Sequence, residues 1–193
     1  GVDILGSSRV TLINTDVHDN NGASGGGFYV GGGSVMTYTA DSDIYDNTAS
    51  AGGGAIVYGR ISGFDTNSDI YQNSSTTDGG GIYAAGGIVQ LNDADVVANT
   101  ASNLGGGIFL SIGGVITLTN SVFVGETAPC CQSALTGGGI YASASRIFLV
   151  GANNAIINNT AITNGGGVYL VNGSHLEATG GSLGFDSTPA AGN

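Results

Sequence analysis

Four aspartates recur at nearly equal spacing in a chain where 14 acidic residues outnumber three basic ones. Carboxylates stacked on neighbouring repeats repel one another unless water or a cation separates them, and calcium takes several oxygen ligands. The alternative role is structural, because an aspartate at a corner caps exposed backbone amides. We prefer the capping role and keep calcium as the one cofactor that the sequence suggests, at Asp16, Asp43, Asp69 and Asp95.

The other side chains that support acid–base chemistry are few and far apart. The basic residues are Arg9, Arg60 and Arg146, and the two histidines are His18 and His175. A polysaccharide-acting enzyme needs a basic group and clustered acids within reach of one substrate. The spacing brings no such set together, so an enzyme is the alternative interpretation and a non-enzymatic role is the prediction.

Cys130 and Cys131 are the only cysteines and adjoin each other. Two thiols without further Cys or His ligands do not make a zinc site. The pair can form a strained disulfide, bond to another chain or stay reduced. A disulfide fits a secreted protein.

Composition excludes several partners. The formal net charge is −11 and there is no lysine, so the field of the protein repels nucleic acid and anionic membrane surfaces. No apolar run reaches the roughly 18 residues that a membrane helix needs. We therefore expect no nucleic-acid binding and no direct membrane insertion.

A sixfold repeat organises the chain and places these residues. Triple glycines, each followed by an apolar run, begin at steps of 27, 27, 26, 32 and 28 residues. A fixed period in this range is the signature of a repeat architecture. The triplets begin at Gly25, Gly52, Gly79, Gly105, Gly137 and Gly165.

Each unit contains three short apolar segments bounded by Gly, Asn, Asp and Ser. In the fourth unit these are 108–110, 115–118 and 122–124. Segments rich in Val, Ile, Tyr, Phe and Thr between turn residues favour strands, and turns too short for crossover helices favour stacking of equivalent strands. The sequence predicts one all-β domain over 1–193: a right-handed, three-sided parallel β-helix of about seven coils. A corner loop is expected as an insertion near 126–136.

One column after the third segment contains only Asn, Gly and Asp. These residue types tolerate left-handed backbone, so the column predicts an obligatory bend, with amides stacked along the axis. We assign these residues a structural role. They are Asn20, Asn47, Asn73, Asn99, Gly125, Asn159 and Asp186.

A second column follows each glycine triplet. Period-two alternation turns its residues to the side opposite the core-facing ones, so they are expected to form an outward ladder. Such a strip is either a partner surface or sugar-stacking platform, or a stack that stabilises its own sheet. The column is Tyr29, Ile56, Tyr83, Phe109, Tyr141 and Tyr169.

The combination of Gly105–Leu110, Val115–Ser121 and the recurring Asn-Thr-Ala, as at Asn47–Ala49, resembles the repeats of bacterial surface β-helix proteins, in particular the polymorphic outer-membrane protein repeat. The resemblance implies an exported, extracellular or cell-surface structural or adhesin-like protein. Its expected partners are further copies stacked end to end, or a cell-surface protein or glycan.

Overall fold

The computed structural model describes residues 1–65, 67–124, 133–180 and 182–183. Within these ranges the regular structure consists of short strands joined by tight turns. The strands, in chain order, are β1 (Val2–Ile4), β2 (Arg9–Ile13), β3 (Val17–His18), β4 (Asn21–Ser24), β5 (Phe28–Val30), β6 (Val35–Thr39), β7 (Ile44–Tyr45), β8 (Thr48–Ala51), β9 (Ala55–Val57), β10 (Arg60–Phe64), β11 (Ile70–Tyr71), β12 (Ser74–Ser75), β13 (Ile82–Ala85), β14 (Ile88–Asn92), β15 (Val96–Val97), β16 (Thr100–Ala101), β17 (Ile108–Ser111), β18 (Val115–Thr119), β19 (Val122–Val124), β20 (Ser133–Thr136), β21 (Ile140–Ser143), β22 (Arg146–Val150), β23 (Ala155–Ile157), β24 (Thr160–Asn164), β25 (Val168–Val171), β26 (His175–Thr179) and β27 (Ser182–Leu183).

Every fourth strand joins the same sheet, which makes the fold a parallel β-solenoid of about six turns. Sheet A runs from β1 to β25, sheet B from β2 to β26, and sheet C from β3 to β27, with seven strands each. Sheet D runs from β4 to β24 and has six strands. All pairings are parallel, because each strand contacts its equivalent one repeat away, and the β20–β24 pair contains a register shift between Ala134 and Thr136.

The all-β repeat fold is confirmed, and its three predicted segments per unit form sheets A, B and C. The fourth strand was not predicted. It lies in sheet D between the third segment and the glycine triplet, and is as short as Ser74–Ser75. Small polar residues gave that segment no apolar signal. The right-handed sense and the three-sided section stay predictions.

The core is a set of apolar columns that run along the solenoid. In sheet A the first and third residues of each strand point inward, as Ile82 and Ala84 do at zero exposure. In sheet B the second and fourth residues of each strand point inward, as Val89 and Leu91 do. The alternation follows from the two-residue period of a strand. It leaves the intervening residues on the outer faces.

Only the first glycine of each triplet needs left-handed backbone, as Gly79 does at φ 64°. The second is required by close approach, since a Cβ on Gly53 would collide with the carbonyl oxygen of Gly80 in the next turn. The triplet therefore makes a corner so tight that neighbouring turns touch through their backbones.

The Asn column forms an amide ladder through the first four turns. Asn20, Asn47 and Asn73 each donate a side-chain N–H to the Oδ1 atom of the next Asn, at 3.0 Å, ending at Asn99. Asn47, Asn73 and Asn99 are completely buried. Their amides also donate to backbone carbonyls one turn back, for example from Asn73 to Ile44 at 2.8 Å. The ladder satisfies polar groups inside the corner.

The expected left-handed backbone falls one residue earlier than the sequence suggested. It is found at Asp46, Gln72 and Ala98, with φ between 50° and 55°, and not at the asparagines that follow. The left-handed conformation expected at the Asn column therefore belongs to the preceding residue, whereas the expected stacking of the amides along the axis is found. The column is rich in Asn because the position requires a side chain that both donates and accepts hydrogen bonds.

Part of the predicted insertion is regular structure. Ser133–Thr136, the end of the expected loop, forms β20 and pairs with β24 in sheet D. Residues 126–132, including Cys130 and Cys131, lie outside the described residues, as do Gly125 and Asp186 of the predicted turn column.

Candidate binding surfaces

The outward column of sheet A places its six residues in one continuous row. Tyr29 pairs with Ile56, Ile56 with Tyr83, and Tyr83 with Phe109, and the register continues to Tyr141 and Tyr169. We call these six residues the sheet A row. Their neighbours on both sides along each strand point into the core, so alternation sets the direction of the row.

The rings of the sheet A row stack on one another. The ring centroids are 4.7 Å apart for Tyr83 and Phe109, 5.4 Å for Phe109 and Tyr141, and 5.6 Å for Tyr141 and Tyr169, with interplanar angles between 8° and 25°. At these separations the faces of adjacent rings cover each other. The row therefore offers ring edges and hydroxyl groups to a ligand, and few free faces on which a sugar can stack.

Exposure varies along the row. Ile56 and Phe109 are only 3% and 8% exposed, whereas Tyr29, Tyr83, Tyr141 and Tyr169 are half-buried. Burial raises the pKa of Tyr141, and the neighbouring Tyr169 and Asp78 add to the effect. The Tyr141 phenol therefore stays neutral and is available as a hydrogen-bond donor and acceptor.

The four recurring aspartates bond to each other's backbones. The Asp43 N–H donates to the Asp16 carboxylate at 3.1 Å, Asp69 N–H to Asp43 at 2.8 Å, and Asp95 N–H to Asp69 at 2.9 Å. This is the arrangement that the capping role requires. In the described part of the chain, no three His, Cys, Asp or Glu side chains converge to hold a metal ion.

Two of these four aspartates, which we call the aspartate ladder, have raised pKa values. Burial raises the pKa of Asp69 to about 6, with Asp95 and Asp43 as further causes, against the lowering effect of the Asp95 N–H bond. The pKa of Asp43 is also raised, again mainly by burial. Desolvation and like charge both disfavour the ionised form.

A second aromatic row, which the sequence analysis missed, lies beside these aspartates on sheet C. His18 stacks on Tyr45 at 4.8 Å and Tyr45 on Tyr71 at 4.9 Å, with interplanar angles of 5° and 4°. We call these three the sheet C row. The signal was present, because each ring comes two residues after one of the recurring aspartates and so shares its face. Burial, with Asp43 and Tyr45 as further causes, raises the pKa of Tyr71 to about 12.

The arginines share one outward column of sheet B, at the first residue of β2, β10 and β22. Arg60 and Arg146 are three turns apart, as expected, since Ile88 and Val115 lie between them in register. However, the same register places His175 next to Arg146, and Glu177 next to Phe148. This mixed group was not predicted from the sequence, where Arg146 was compared with the other arginines and His175 with His18.

These residues line a groove of about 770 Å³ at the corner between sheets A and B. His175 Nε2 and Glu177 Oε2 are 3.9 Å apart, and both side chains are more than half exposed. The groove therefore holds a cation, an imidazole, a carboxylate and an aromatic ring on adjacent turns, as Arg146, His175, Glu177 and Phe148.

Comparison with known protein families finds a repeat model that matches part of the chain. Residues 67–85 match the model of the Chlamydia polymorphic membrane protein repeat. The matched stretch contains β11, β12, the third glycine triplet and β13, so it covers one corner and its flanking strands. The comparisons with curated proteins and with solved structures returned no significant match.

The part of the chain that the structure describes has no helix that could cross a membrane. The repeat match names a membrane protein and no enzymatic activity. The matched residues 67–85 include a glycine triplet followed by an apolar strand, which is one of the motifs on which the resemblance was based. Together, the repeat match and the stacked β-solenoid support a bacterial surface β-helix repeat protein.

Proposed function

We propose that this protein is an exported, adhesin-like β-solenoid that contacts a cell-surface protein or glycan through the sheet A row. The observation that carries the proposal is the unbroken register of six outward residues, of which four are half-buried tyrosines. A row of this length on one face is more than scattered surface exposure.

The form of the row suggests how contact is made. Because Tyr83, Phe109, Tyr141 and Tyr169 cover one another's faces, recognition falls to the hydroxyl tips and ring edges. Stacking also fixes the side chains before binding, so little rotamer entropy is lost on contact. Tyrosine combines a large apolar area with a polar group, which suits it to interfaces.

The test removes the hydroxyl tips and keeps the stack. A variant with Tyr83→Phe, Tyr141→Phe and Tyr169→Phe is compared with a control carrying Tyr45→Phe and Tyr71→Phe on sheet C. Labelled protein is applied to immobilised glycans and to cultured animal cells. We expect the sheet A variant to lose at least about tenfold in binding, a change of 1.4 kcal/mol, and the sheet C variant to bind like the parent.

Equal binding by all three proteins would remove the sheet A row as the contact surface. Loss in the sheet C variant alone would transfer the role to the other row. Circular dichroism and thermal unfolding of each variant show whether the solenoid is intact, since Tyr→Phe keeps the ring.

End-to-end stacking of copies is a second candidate mode of association. In the first turn the inward residues Val10, Leu12 and Val17 are only partly buried, while their counterparts Met36, Tyr38 and Ile44 in the second have zero exposure. A further turn, from this chain or from another copy, would cover them and pair with the strand edges. Sedimentation velocity over a wide concentration range tests self-association, and a strict monomer contradicts it.

The groove at Arg146 is the feature that favours the alternative, a polysaccharide-acting enzyme. It brings basic and acidic side chains together on adjacent turns, which that alternative requires. However, within the described residues no hydrogen bond orients the Arg146 guanidinium or the Glu177 carboxylate, and catalytic groups are normally held by such partners. Release of new reducing ends or unsaturated products from acidic polysaccharides, abolished by Arg146→Gln, would establish the enzyme.

A further inference from the structure

The Arg146 groove arises from a difference in corner length between neighbouring turns. Two residues, Ala144 and Ser145, join β21 to β22. The turns before and after use three, 112–114 and 172–174. Gly113 and Gly173 of the two longer corners, with Ala144 and Ser145 of the shorter one, line the groove, which we describe as a notch between the longer corners.

The floor of the notch is a two-by-two patch on the outer face of sheet B. Arg146 and Phe148 lie two residues apart on one strand, and His175 and Glu177 lie in register with them on the next. Parallel strands are about 4.8 Å apart, so the four side chains are within reach of one small ligand.

Arg146 has no ion pair or hydrogen bond through its guanidinium in the described part of the chain. By contrast, Arg60 donates to Gln90 Oε1 at 3.2 Å, and its corner cavity is smaller, at about 310 Å³. An arginine without a partner is notable in a chain with a net charge of −11. Its planar donor fork matches a carboxylate.

We propose that this groove binds a single sugar residue that carries a carboxylate, such as a uronic acid at the end of a glycan. Arg146 would pair with the carboxylate. The half-buried Phe148 ring would pack against the apolar face of the pyranose, and Glu177 and Asn172 would accept or donate hydrogen bonds at its hydroxyl groups.

The size and charge of the site favour one acidic residue over a long acidic polymer. A volume of about 770 Å³ is within the range of a small-molecule pocket. The net charge of −11 would repel each further carboxylate of a polyanion, while one carboxylate meets one arginine. The site is separate from the sheet A row and does not depend on its role.

The test uses methyl glucuronoside and its methyl ester, which differ in charge and hardly in shape. Each is titrated into the full chain and followed by NMR chemical shifts or calorimetry. We expect the acid to bind with a dissociation constant in the millimolar range or below, and the ester at least about tenfold more weakly.

Two matched variants locate the site. Arg146→Gln should weaken binding of the acid by about tenfold or more. Arg9→Gln removes the same charge from the same column at the first turn, and should leave the affinity unchanged. Both residues are exposed, so neither change threatens the fold.

Three results would overturn the proposal: no binding of the acid at tens of millimolar, equal binding of acid and ester, or equal effects of the two arginine substitutions. These outcomes do not depend on whether the tyrosine variants of the sheet A row lose cell attachment, because the two tests concern different surfaces.

Discussion

The two aromatic rows use the same stacking and differ in their surroundings. The sheet A row is packed more deeply, with Phe109 only 8% exposed between two tyrosines. In the sheet C row Tyr45 and Tyr71 are half-buried, like the tyrosines of sheet A, but His18 is exposed and the row lies beside Asp16, Asp43 and Asp69. Stacking in register is therefore a property of the solenoid, whereas burial and charge distinguish the rows.

This difference indicates a division of roles. On sheet A, ring packing contributes apolar burial, and the hydroxyl tips remain for contact. On sheet C, the carboxylates cap backbone amides and repel one another. The rings beside them therefore lie in a strongly negative environment. Three experiments separate these contributions.

Truncation of one ring should affect the rows unequally. Phe109→Ala should lower the free energy of unfolding by about 3 kcal/mol, because a buried ring is lost and a cavity is left. Tyr45→Ala, on the more exposed row, should cost about 1 kcal/mol. Denaturant unfolding measures both, with Phe109→Leu as the control that keeps apolar volume. Equal losses would show that the two rows have the same energetic role.

Removal of one charge from the aspartate ladder should stabilise the fold. The pKa of Asp69 rises from 3.8 to about 6 on folding, so the folded state holds a proton that the unfolded state releases. Its contribution to stability is therefore present at low pH and decreases as pH rises through that window.

Asp69→Asn keeps an oxygen that accepts the Asp95 N–H and removes the charge. It should raise the free energy of unfolding at pH 7 by about 1 kcal/mol, a value reduced for solvent screening. It should also weaken the loss of stability as pH rises from 3.8, the unfolded pKa of Asp69, through about 6, its folded pKa. The control is Asp3→Asn, an exposed residue of β1 that pairs with Tyr29. Destabilisation by Asp69→Asn would mean that the carboxylate has a required partner.

The smallest expected effect is on phenol titration in the sheet C row. Burial raises the pKa of Tyr71 to about 12, and Asp43 is the next cause. Asp43→Asn should therefore lower the pKa of Tyr71, which ultraviolet absorbance at alkaline pH or NMR can follow. Tyr141, whose pKa is raised without Asp43, should titrate as in the parent. An unchanged Tyr71 would remove Asp43 from the causes of its raised pKa.

Much of the fold could be predicted because each repeat contains the same local pattern of apolar and turn residues. Alternating apolar residues after each triplet set the inward face at Ile82 and Ala84 and the outward face at Tyr83. The recurring period sets the register, since each strand pairs with its own equivalent. The sheet D strands escaped prediction because residues such as Ser74 and Ser75 carry no apolar periodicity.

The local backbone at the corners was less predictable. Asn, Gly and Asp at one position suggested left-handed φ, yet that conformation belongs to the residue before, even where it is Ala98. Buried hydrogen bonds between turns outweigh the intrinsic preference of Ala98, because an unsatisfied amide inside the corner would cost more than the strain.

The sequence by itself determined the repeat, the strands of sheets A, B and C, the outward row of sheet A and the column of stacked asparagines, because each follows from residue type at a fixed period. Only the tertiary structure decided that stacked rings cover each other's faces. It also decided that a shortened corner beside longer ones opens a groove around Arg146, next to His175 and Glu177. Such features depend on how one turn differs from the next, and these differences form a surface only when the turns are stacked.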